Sequence, residues 1–453
     1  MLEFKPITLE KAKELKKKLF SPTRFSCETN IVNLLVWQKM YDNMYAEDEG
    51  MLFIKSGGIE KETFRLPFGE NIKRGIEKLC EYTGEEHPKL WVQQGERFED
   101  FKLQFGEEYE LIPERDAFDY IYLQEDLANL SGKKYHSKRN HISAFSKQYD
   151  WKFKEITAQD IPKVLECANE WYASNKERFD KYMECEKQGI ELMLSNMELL
   201  DIKGGAIYID EKIVAFTLGS PINCETFDIH IEKALPEYAT AYTVINREFA
   251  KILTDYKYIN REDDLGLEGL RKAKLSYKPY ILLKKYAAVS KAERIKQIYH
   301  EAFGEEDNSF EDDLFNTCFE YCRYLEKDGR IVSVCFEFPC VLNGSPVKYI
   351  FAVTTAKEFR SNGYAKELIE SLGKNGETLI LRPVDSSLVQ YYKSLGFCEF
   401  KATNQQSDFS LEPVGAFKEL AQKYADDKGE FTAMYKSENP QNLNNLTFLY
   451  SLP

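Results

Sequence analysis

The stretch that most constrains the fold is Val347 to Phe397, VKYIFAVTTAKEFRSNGYAKELIESLGKNGETLILRPVDSSLVQYYKSLGF. Val347 to Val353 alternates and is rich in β-branched and aromatic residues, the period-two signature of a strand. Gly363 then opens an amphipathic helix carrying Ala365, Leu368, Ile369 and Leu372. A second strand and a second helix follow, and the run closes on YYKSLGF. A helix N-terminus offers unpaired amide donors and a partial positive charge, which favours phosphate oxygens. Gly363 lets the backbone approach an anion closely, and Arg360 adds a charge-assisted donor just before the turn. Parts in this order can hold a pyrophosphate-bearing acyl carrier beside a strand edge.

A chain of 453 residues exceeds the size at which one core keeps growing, so two or three domains are expected. Hydrophobic content of 43% and charged content of 30% describe a soluble globular protein. The formal net charge of −14 disfavours nonspecific binding to nucleic acid or membrane over the whole surface, but leaves room for a local basic patch. The N-terminus lacks an apolar core of signal-peptide length, and no run of 18 apolar residues exists to span a bilayer. A cytoplasmic location without a transmembrane segment is the expectation. The 10 cysteines contain no CxxC pair and no nearby histidines at ligand spacing, so reduced thiols and no metal are expected.

Along the chain, residues 8–20 read as a polar helix capped near Thr8, and Asn30–Tyr45 as a mixed helical segment. Short strands flank Gly57-Gly58, and Glu70–Tyr82 is an amphipathic helix. Further strands are expected at Leu90–Gln93, Leu111–Pro113 and Phe118–Leu123. The 160–175 segment, with Pro162 near a helix N1, is a strong helix. Gly204–Ile209, Lys212–Ser220 and Thr226–Glu232 read as consecutive strands, followed by a helix at Tyr238–Lys251 and a last strand at Tyr280–Tyr286. Residues 287–292, AAVSKA, resemble a linker. Beyond it, Glu305–Asp313 reads as an acidic loop or helix cap, and Asp328-Gly329 marks a hairpin turn. A helix over Glu412–Tyr424 and terminal strands at Glu430–Tyr435 and Leu446–Ser451 complete the reading.

Two polar segments stand out earlier. Residues 127–148 carry five Lys/Arg, two His and no acid, with Lys133, Lys134, Lys138 and Arg139 concentrated together. They read either as a patch for a phosphate-bearing ligand, with Tyr135, His136 and His141 able to stack on a base, or as a solvated helix face. In NREDDLGLEGLRKAKLSYKP, Asn260–Pro279, acids including Asp263 precede Arg271, Lys272 and Lys274. This is either a salt-bridged loop clamping two lobes or a site for an α-ammonium and the phosphate of its carrier. His230, between Asp228 and Glu232, reads as structural.

The C-terminal stretch resembles the GNAT acetyltransferase family. Arg360, Gly363 and Ala365 match its pyrophosphate loop. Val353, Thr355 and Phe359 match the lead-in, with Lys357 where proline is usual. Tyr392, Gly396 and Phe397 match its Tyr-x-x-x-Gly-Phe. The resemblance implies that Val353, Thr355, Arg360, Ser361, Asn362, Gly363, Tyr364 and Ala365 bind acetyl-CoA, with Asp385 where the family often has Asn. It implies that Tyr392 protonates the departing thiolate while free strand amides stabilise the oxyanion. No base stands out; Glu337 is the candidate to relay a proton through water.

The two earlier segments resemble the DUF2156 family, related to the C-terminal catalytic domain of phosphatidylglycerol lysyltransferases, over most of residues 1–290. That resemblance implies two GNAT-like lobes, as in the Fem transferases that use aminoacyl-tRNA. It implies substrate contacts for Lys133, Lys134, Lys138, Arg139, Asp263, Arg271 and Lys274. The expected fold is α/β with mixed sheets and three GNAT-like units, at 1–150, 151–290 and 291–453. The expected function is transfer of an acetyl group from acetyl-CoA to a small-molecule or amino-acid-type primary amine by the C-terminal unit. The alternatives are aminoacyl-tRNA-dependent transfer by the N-terminal region, engaging a tRNA acceptor end or phospholipid headgroup, and non-catalytic sensing of a phosphorylated metabolite.

Overall fold

The computed structural model describes residues 2–57, 62–95, 97–176, 180–304, 306–342, 344–373, 376–403, 410–424, 430–437 and 446–448. The expectations placed on Gly58, Glu305 and residues 449–451 lie outside these. The chain divides into two compact units, residues 1–289 and 290–453.

In chain order the first unit holds β1 (Lys5–Pro6), α1 (Leu9–Leu19), α2 (Ile31–Val36), α3 (Gln38–Tyr41), β2 (Met44–Asp48), β3 (Met51–Gly57) and β4 (Glu62–Arg65). Next come α4 (Ile72–Thr83), β5 (Leu90–Gln93), α5 (Phe98–Phe105), β6 (Tyr109–Pro113), β7 (Asp119–Leu123), α6 (Gln124–Asn129), α7 (His136–Gln148) and β8 (Trp151–Glu155). Then follow α8 (Ile161–Ser174), α9 (Lys181–Ser195), β9 (Lys203–Ile209), β10 (Lys212–Pro221), β11 (Thr226–Ala234), α10 (Ala241–Ile252), β12 (Tyr258–Asn260), α11 (Glu268–Leu275), β13 (Ile281–Leu283) and β14 (Lys285–Ser290). Local chemistry sets the helix starts. Thr8 Oγ1 accepts from the Lys11 amide at 3.3 Å, Asn71 caps α4 through the Arg74 amide, and Asp180 caps α9 through the Met183 amide.

These strands form two seven-stranded sheets, ordered β1-β2-β3-β4-β5-β14-β6 and β13-β7-β12-β11-β10-β9-β8. Each contains a parallel pair, β4 with β5 and β11 with β12, among antiparallel neighbours. The second unit repeats the plan. Its elements are α12 (Lys291–Phe303), α13 (Ser309–Cys318), β15 (Cys322–Lys327), β16 (Arg330–Leu342), β17 (Ser345–Thr355), α14 (Tyr364–Ser371), β18 (Leu379–Leu381), α15 (Ser386–Ser394), β19 (Cys398–Thr403), β20 (Ser410–Pro413), α16 (Ala416–Lys423), β21 (Glu430–Lys436) and β22 (Leu446–Phe448). Its sheet runs β15-β16-β17-β18-β21-β19-β22-β20, with β17 and β18 parallel. The architecture is α/β with three mixed sheets.

A division near residue 150 takes no account of an exchange of strands. The place between β5 and β6 is filled by β14, from the far end of the unit. The equivalent place between β12 and β13 is filled by β7, which directly follows the first lobe's own strands. In the third sheet the corresponding strand, β21, comes from its own unit. The two lobes also share a core in which α1 and α2 pack with α8 and α9. A Cβ on Gly189 of α9 would sit 2.5 Å from Val36 of α2, so the close crossing of these helices depends on glycine.

Three expectations are corrected. Residues 287–290 are not a linker: they finish β14, and Ala287, Ala288 and Val289 are buried. The small side chains that suggest a linker are those a crowded central strand admits. The single strand expected over Tyr280–Tyr286 is two strands in different sheets. Of the acidic segment, residues 309–313 are not loop but the start of helix α13, whose Leu314, Phe315 and Cys318 face the core. Helix α9 was not read from the sequence at all.

The exchanged strands are tied to each other by charge. Lys285 of β14 and Asp119 of β7 are both fully buried, with Nζ 2.8 Å from Oδ1. Lys285 also reaches Glu28 at 3.2 Å. Asp119 Oδ2 accepts from the Cys27 amide and from Asn260 Nδ2, each at 3.0 Å. Removing one member of a buried pair strands the other's charge, which costs roughly 3–5 kcal/mol. The four tryptophans, Trp37, Trp91, Trp151 and Trp171, all lie in the first unit, so their fluorescence reports its unfolding. Lys285→Ala is expected to lower that unfolding free energy by about this amount. Lys285→Met with Asp119→Leu should cost less than the two single changes summed.

Candidate functional site

In the second lobe β11 and β12 pair only over Thr226–Asp228 and Tyr258–Asn260, after which they part. Strand β11 continues to Ala234, while the chain after Asn260 turns toward β7, where the Arg261 amide donates to Tyr120 O. Charged side chains occupy the two sides of this opening. His230 Nδ1 lies 3.0 Å from Glu262 Oε1, and its Nε2 lies 2.8 Å from Ser220 Oγ. Asn33 also donates to Glu262, at 3.1 Å. Two residues on, Glu232 Oε1 accepts from Arg261 Nη2 at 2.8 Å, and Asn246 Nδ2 donates to Glu232 Oε2 at 3.2 Å. Asp228 and His230 share one face of β11 with Asn30 and Ser220, but the register shift against β10 leaves His230 as an extra residue, and beyond it Glu232 turns to the other face, toward Asn246 of α10.

Burial shapes the protonation of these groups. The Asp228 carboxyl is pushed well up, first by burial and then by the charges of Glu262 and Asp119; Asn30 Nδ2 donates to its Oδ2 at 3.2 Å. Its Oδ1 is buried without a hydrogen-bond partner among the described residues. Burial also pushes Asp263 up to about 7, with Lys285 opposing. For Glu28 burial opposes ionisation, but Lys285 and Arg65 outweigh it and hold the carboxyl below its ordinary range. Ligand atoms of Asp228, His230 and Glu262 lie within 4.8 Å of one another, although the sequence pattern gave no reason to expect a metal.

A cationic group faces the same opening. Lys138 of α7 lies 3.9 Å over the Tyr277 ring, and the Arg261 guanidinium lies 5.0 Å from that ring. Burial, and next the Arg261 charge, push Lys138 down to about 8. Arg261 Nη1 is buried and has no hydrogen-bond partner among the described residues. Lys274 of α11 is buried and donates to the Arg261 carbonyl at 2.5 Å and to the Asp263 carbonyl.

The structure therefore brings Lys138, Lys274 and Asp263 together around Arg261 and Glu262. It places the rest of that sequence-derived set elsewhere. Lys133 is exposed in a single turn, and Lys134 pairs with Asp126 at 2.9 Å. Arg139 donates to the Leu130 and Gly132 carbonyls, fastening the turn before α7. Arg271 makes a two-pronged contact with Asp264, 2.9 and 2.7 Å, and reaches Asp116. Asp264 also accepts from Arg115 and Tyr120; burial would raise its carboxyl, but Arg271, Tyr120 and the Gly266 amide hold it well below the usual range. This half of the segment is the salt-bridged clamp. Sequence reasoning missed Arg261, Lys285, Asp119, Glu28 and Cys27. The available signal was a charge inside an apolar strand, as in ILLKKYAAV and FDYIYL.

In the second unit β17 and β18 pair from Lys348–Leu379 to Ile350–Leu381, then part, and β17 runs on through Val353 to Thr355. Ala352 sits at φ 53°, inside a register shift against β16. Gly363, at φ 80°, opens α14, and no side chain caps that helix. Ser361, at φ 66°, and Asn362 are exposed, and Asn362 Nδ2 donates to the Phe359 carbonyl at 3.0 Å. Arg360 is exposed and its Nε donates to the Thr355 carbonyl at 3.2 Å. Tyr364 and Ala365, half-buried, begin the helix. Asp385 caps α15, accepting from the Leu388 amide at 2.9 Å. Tyr392 packs among Leu368, Ile369 and Leu381 with its ring 5.7 Å from Phe397, and burial raises its hydroxyl. Glu337 is buried on β16 and accepts from Arg323 Nε at 3.0 Å.

Residues 23–289 match the family model described as phosphatidylglycerol lysyltransferase, C-terminal. The chain belongs to that family. A conserved protein of unknown function from Bacteroides thetaiotaomicron is 38% identical to it, with a TM-score of 0.61, over 64% of this chain and all of that one. The C-terminal (DUF2156) domain of a putative lysylphosphatidylglycerol synthetase from Agrobacterium fabrum is 13% identical, TM-score 0.45, over 66% of this chain and 99% of that one. An uncharacterized protein of Mycoplasmoides gallisepticum is 28% identical over 188 residues, 39% of this chain. The match spans 57% of that relative's length. Among the described residues no helix is long and apolar enough to cross a membrane.

Asp263 gives a pH-dependent prediction for this family member. Its folded pKa, about 7, lies above the ordinary 3.8, so the native state holds a proton there that the unfolded chain has lost. The stability contributed by that proton is full below about pH 4 and is lost as pH rises through 7. Asp263→Asn is expected to raise the denaturant midpoint relative to wild type at pH 8, with the difference shrinking at pH 4.5, read by tryptophan fluorescence.

Proposed function

We propose that residues 1–289 transfer an aminoacyl group from the acceptor end of a charged tRNA to a nucleophile. The observation that carries this reading is the cationic group at the β11–β12 opening. Among the described residues Lys138 has no ion pair, and beside it Arg261, paired with Glu232 through Nη2, keeps a buried Nη1 with no hydrogen-bond partner. A half-buried ammonium beside a buried guanidinium N–H that lacks an acceptor suits a phosphate-bearing ligand. The family match supports the same direction, and Asp263, two residues after Arg261, offers a carboxylate to an α-ammonium.

In this reading the carrier's phosphate lies against Lys138 and Arg261, and the aminoacyl carbonyl lies beside β11 beyond Asp228. The acceptor attacks the carbonyl carbon, a new bond to the acceptor forms, the ester C–O bond breaks, and the ribose oxygen leaves with a proton. Amides of β11 beyond the end of its pairing with β12 would steady the oxyanion. His230, held between Glu262 and Ser220, is the group able to take a proton from the acceptor, Glu262 fixing its orientation.

A second reading concerns the second unit, where the parting of β17 from β18, the uncapped start of α14 and Arg360 suit a pyrophosphate. Acetyl-CoA would supply the activated acetyl group there, for an amine acceptor. Arg360 and the first-turn amides would hold its phosphates, and Tyr392 would return a proton to the thiolate. Calorimetric titration with acetyl-CoA is expected to show saturable heat that Arg360→Ala weakens. No heat up to millimolar ligand removes this reading.

The aminoacyl reading predicts a pH signature. The anion binds the charged form of Lys138, so affinity for uncharged tRNA, measured by filter binding at fixed salt, should fall as pH rises through about 8. Lys138→Arg should flatten that fall, and Lys138→Gln should weaken binding about tenfold at pH 7. Binding that is equally tight and equally pH-independent in all three proteins would sink the assignment.

A further inference from the structure

The first lobe carries its own opening at the equivalent place. Strands β4 and β5 pair at Phe64–Leu90 and Arg65–Trp91. Beyond Arg65 the chain turns through Leu66 and Pro67 to Phe68, which bridges back to Leu52. The space left between holds a cavity of about 40 Å³ whose lining includes Arg24, Arg65, Arg97, Trp91 and Phe68. At ~10–15 Å³ per water this admits roughly three or four waters, the scale of one phosphoryl group and too little for a nucleobase. Three guanidinium side chains line it, and no carboxylate does among the described residues.

Each arginine is placed by structure. Arg24 is buried, donates to the Leu19 carbonyl at 2.5 Å, and lies 4.8 Å over the Phe68 ring. Arg97 stands at φ 65°, an uncommon backbone for a residue with a Cβ, and donates to the Pro67 carbonyl at 2.7 Å. Arg65 lies 5.8 Å over the Trp91 ring, and its Nε is buried with no hydrogen-bond partner among the described residues. Glu28, whose carboxylate feels the Arg65 charge, spends its hydrogen bonds on other groups: its Oε1 meets Lys285, and its Oε2 accepts from Trp91 Nε1 and Ser26 Oγ, each at 3.0 Å. A buried guanidinium N–H without an acceptor costs stability unless a ligand supplies one.

We propose that the Arg24–Arg65–Arg97 cavity of the first lobe is a binding site for a phosphate group, separate from the β11–β12 opening and independent of the activity assigned there. A tetrahedral phosphate presents several acceptors to converging guanidinium forks, the match for which arginine is suited. The indole of Trp91 and the ring of Phe68 give the group an apolar wall, so the phosphate can belong to a soluble ester or to a lipid headgroup.

The test reads Arg65 directly. The whole chain is treated with phenylglyoxal, and modification of Arg65 is followed by peptide mass spectrometry with and without ligand. Inorganic phosphate and glycerol 3-phosphate, added separately, are expected to slow modification of Arg65 at least about tenfold, in proportion to occupancy. Protection by vesicles of anionic phospholipid, absent with phosphatidylcholine vesicles and weak with the soluble esters, assigns the site to a headgroup. In parallel, calorimetry on Arg65→Gln should show loss of one phosphate site while the thermal midpoint holds and Arg65→Lys recovers part of the affinity. No protection by any of these ligands, or an Arg65→Gln protein that keeps every phosphate site of the wild type, overturns the proposal. Lys138→Gln is the control that keeps the two openings apart: it should leave protection of Arg65 unchanged, and loss of protection there would overturn the separateness of this site.

Discussion

The first unit depends on one buried contact, the Lys285 ammonium against the Asp119 carboxylate. A charge pair without water is a poor source of net stability, because both partners lose their hydration. What it supplies here is specification. Lys285 arrives on the strand that the second lobe lends to the first sheet, and Asp119 on the strand that the first lobe lends to the second. Glu28, Cys27 and Asn260 complete the hydrogen bonding around the pair. A register slip of one residue in either strand would send its charge to the wrong face of the sheet. Two sheets of the same plan are thereby kept from closing on the wrong partner.

From that centre the charge pattern spreads outward with a direction. Glu28 leads through Trp91 toward the arginine cavity of the first lobe, and Asn260 leads to Glu262, His230 and Arg261 in the second. Both openings arise where a parallel strand pair ends early, so the backbone itself makes the space. What differs is the lining: guanidinium groups and aromatic rings in one lobe, and opposed acids and cations in the other.

Much of the plan was legible in the sequence because it is local. The Asp328-Gly329 hairpin, the helix at Gly363 and the Pro162 helix each follow from residues within one or two turns, and the structure has them. The strand exchange was not legible, because nothing local distinguishes a strand that pairs with its neighbour from one that crosses to another sheet. Tyr280–Tyr286 reads as one strand since Lys284 and Lys285 carry the same chemistry, yet the strand breaks between Leu283 and Lys285. Of the basic run at 133–139, only Lys138 turns toward Arg261; which lysine of a helix faces inward is decided by how α7 lies on its neighbours. Arg261 escaped notice because its partner Glu232 is distant in sequence and the two meet only across the parted strands.

The exchange also sets an order on synthesis. Strand β6 leaves the ribosome long before β14, and at ~5–20 residues per second the interval is about ten to thirty seconds. Throughout it the nascent first sheet has two open flanks, on β5 and β6, whose backbone amides and carbonyls lack the pairing that β14 brings. Unsheltered flanks of that kind invite pairing with other chains. Production of this protein should therefore be more sensitive to pauses in translation between the two strands than to pauses anywhere after them.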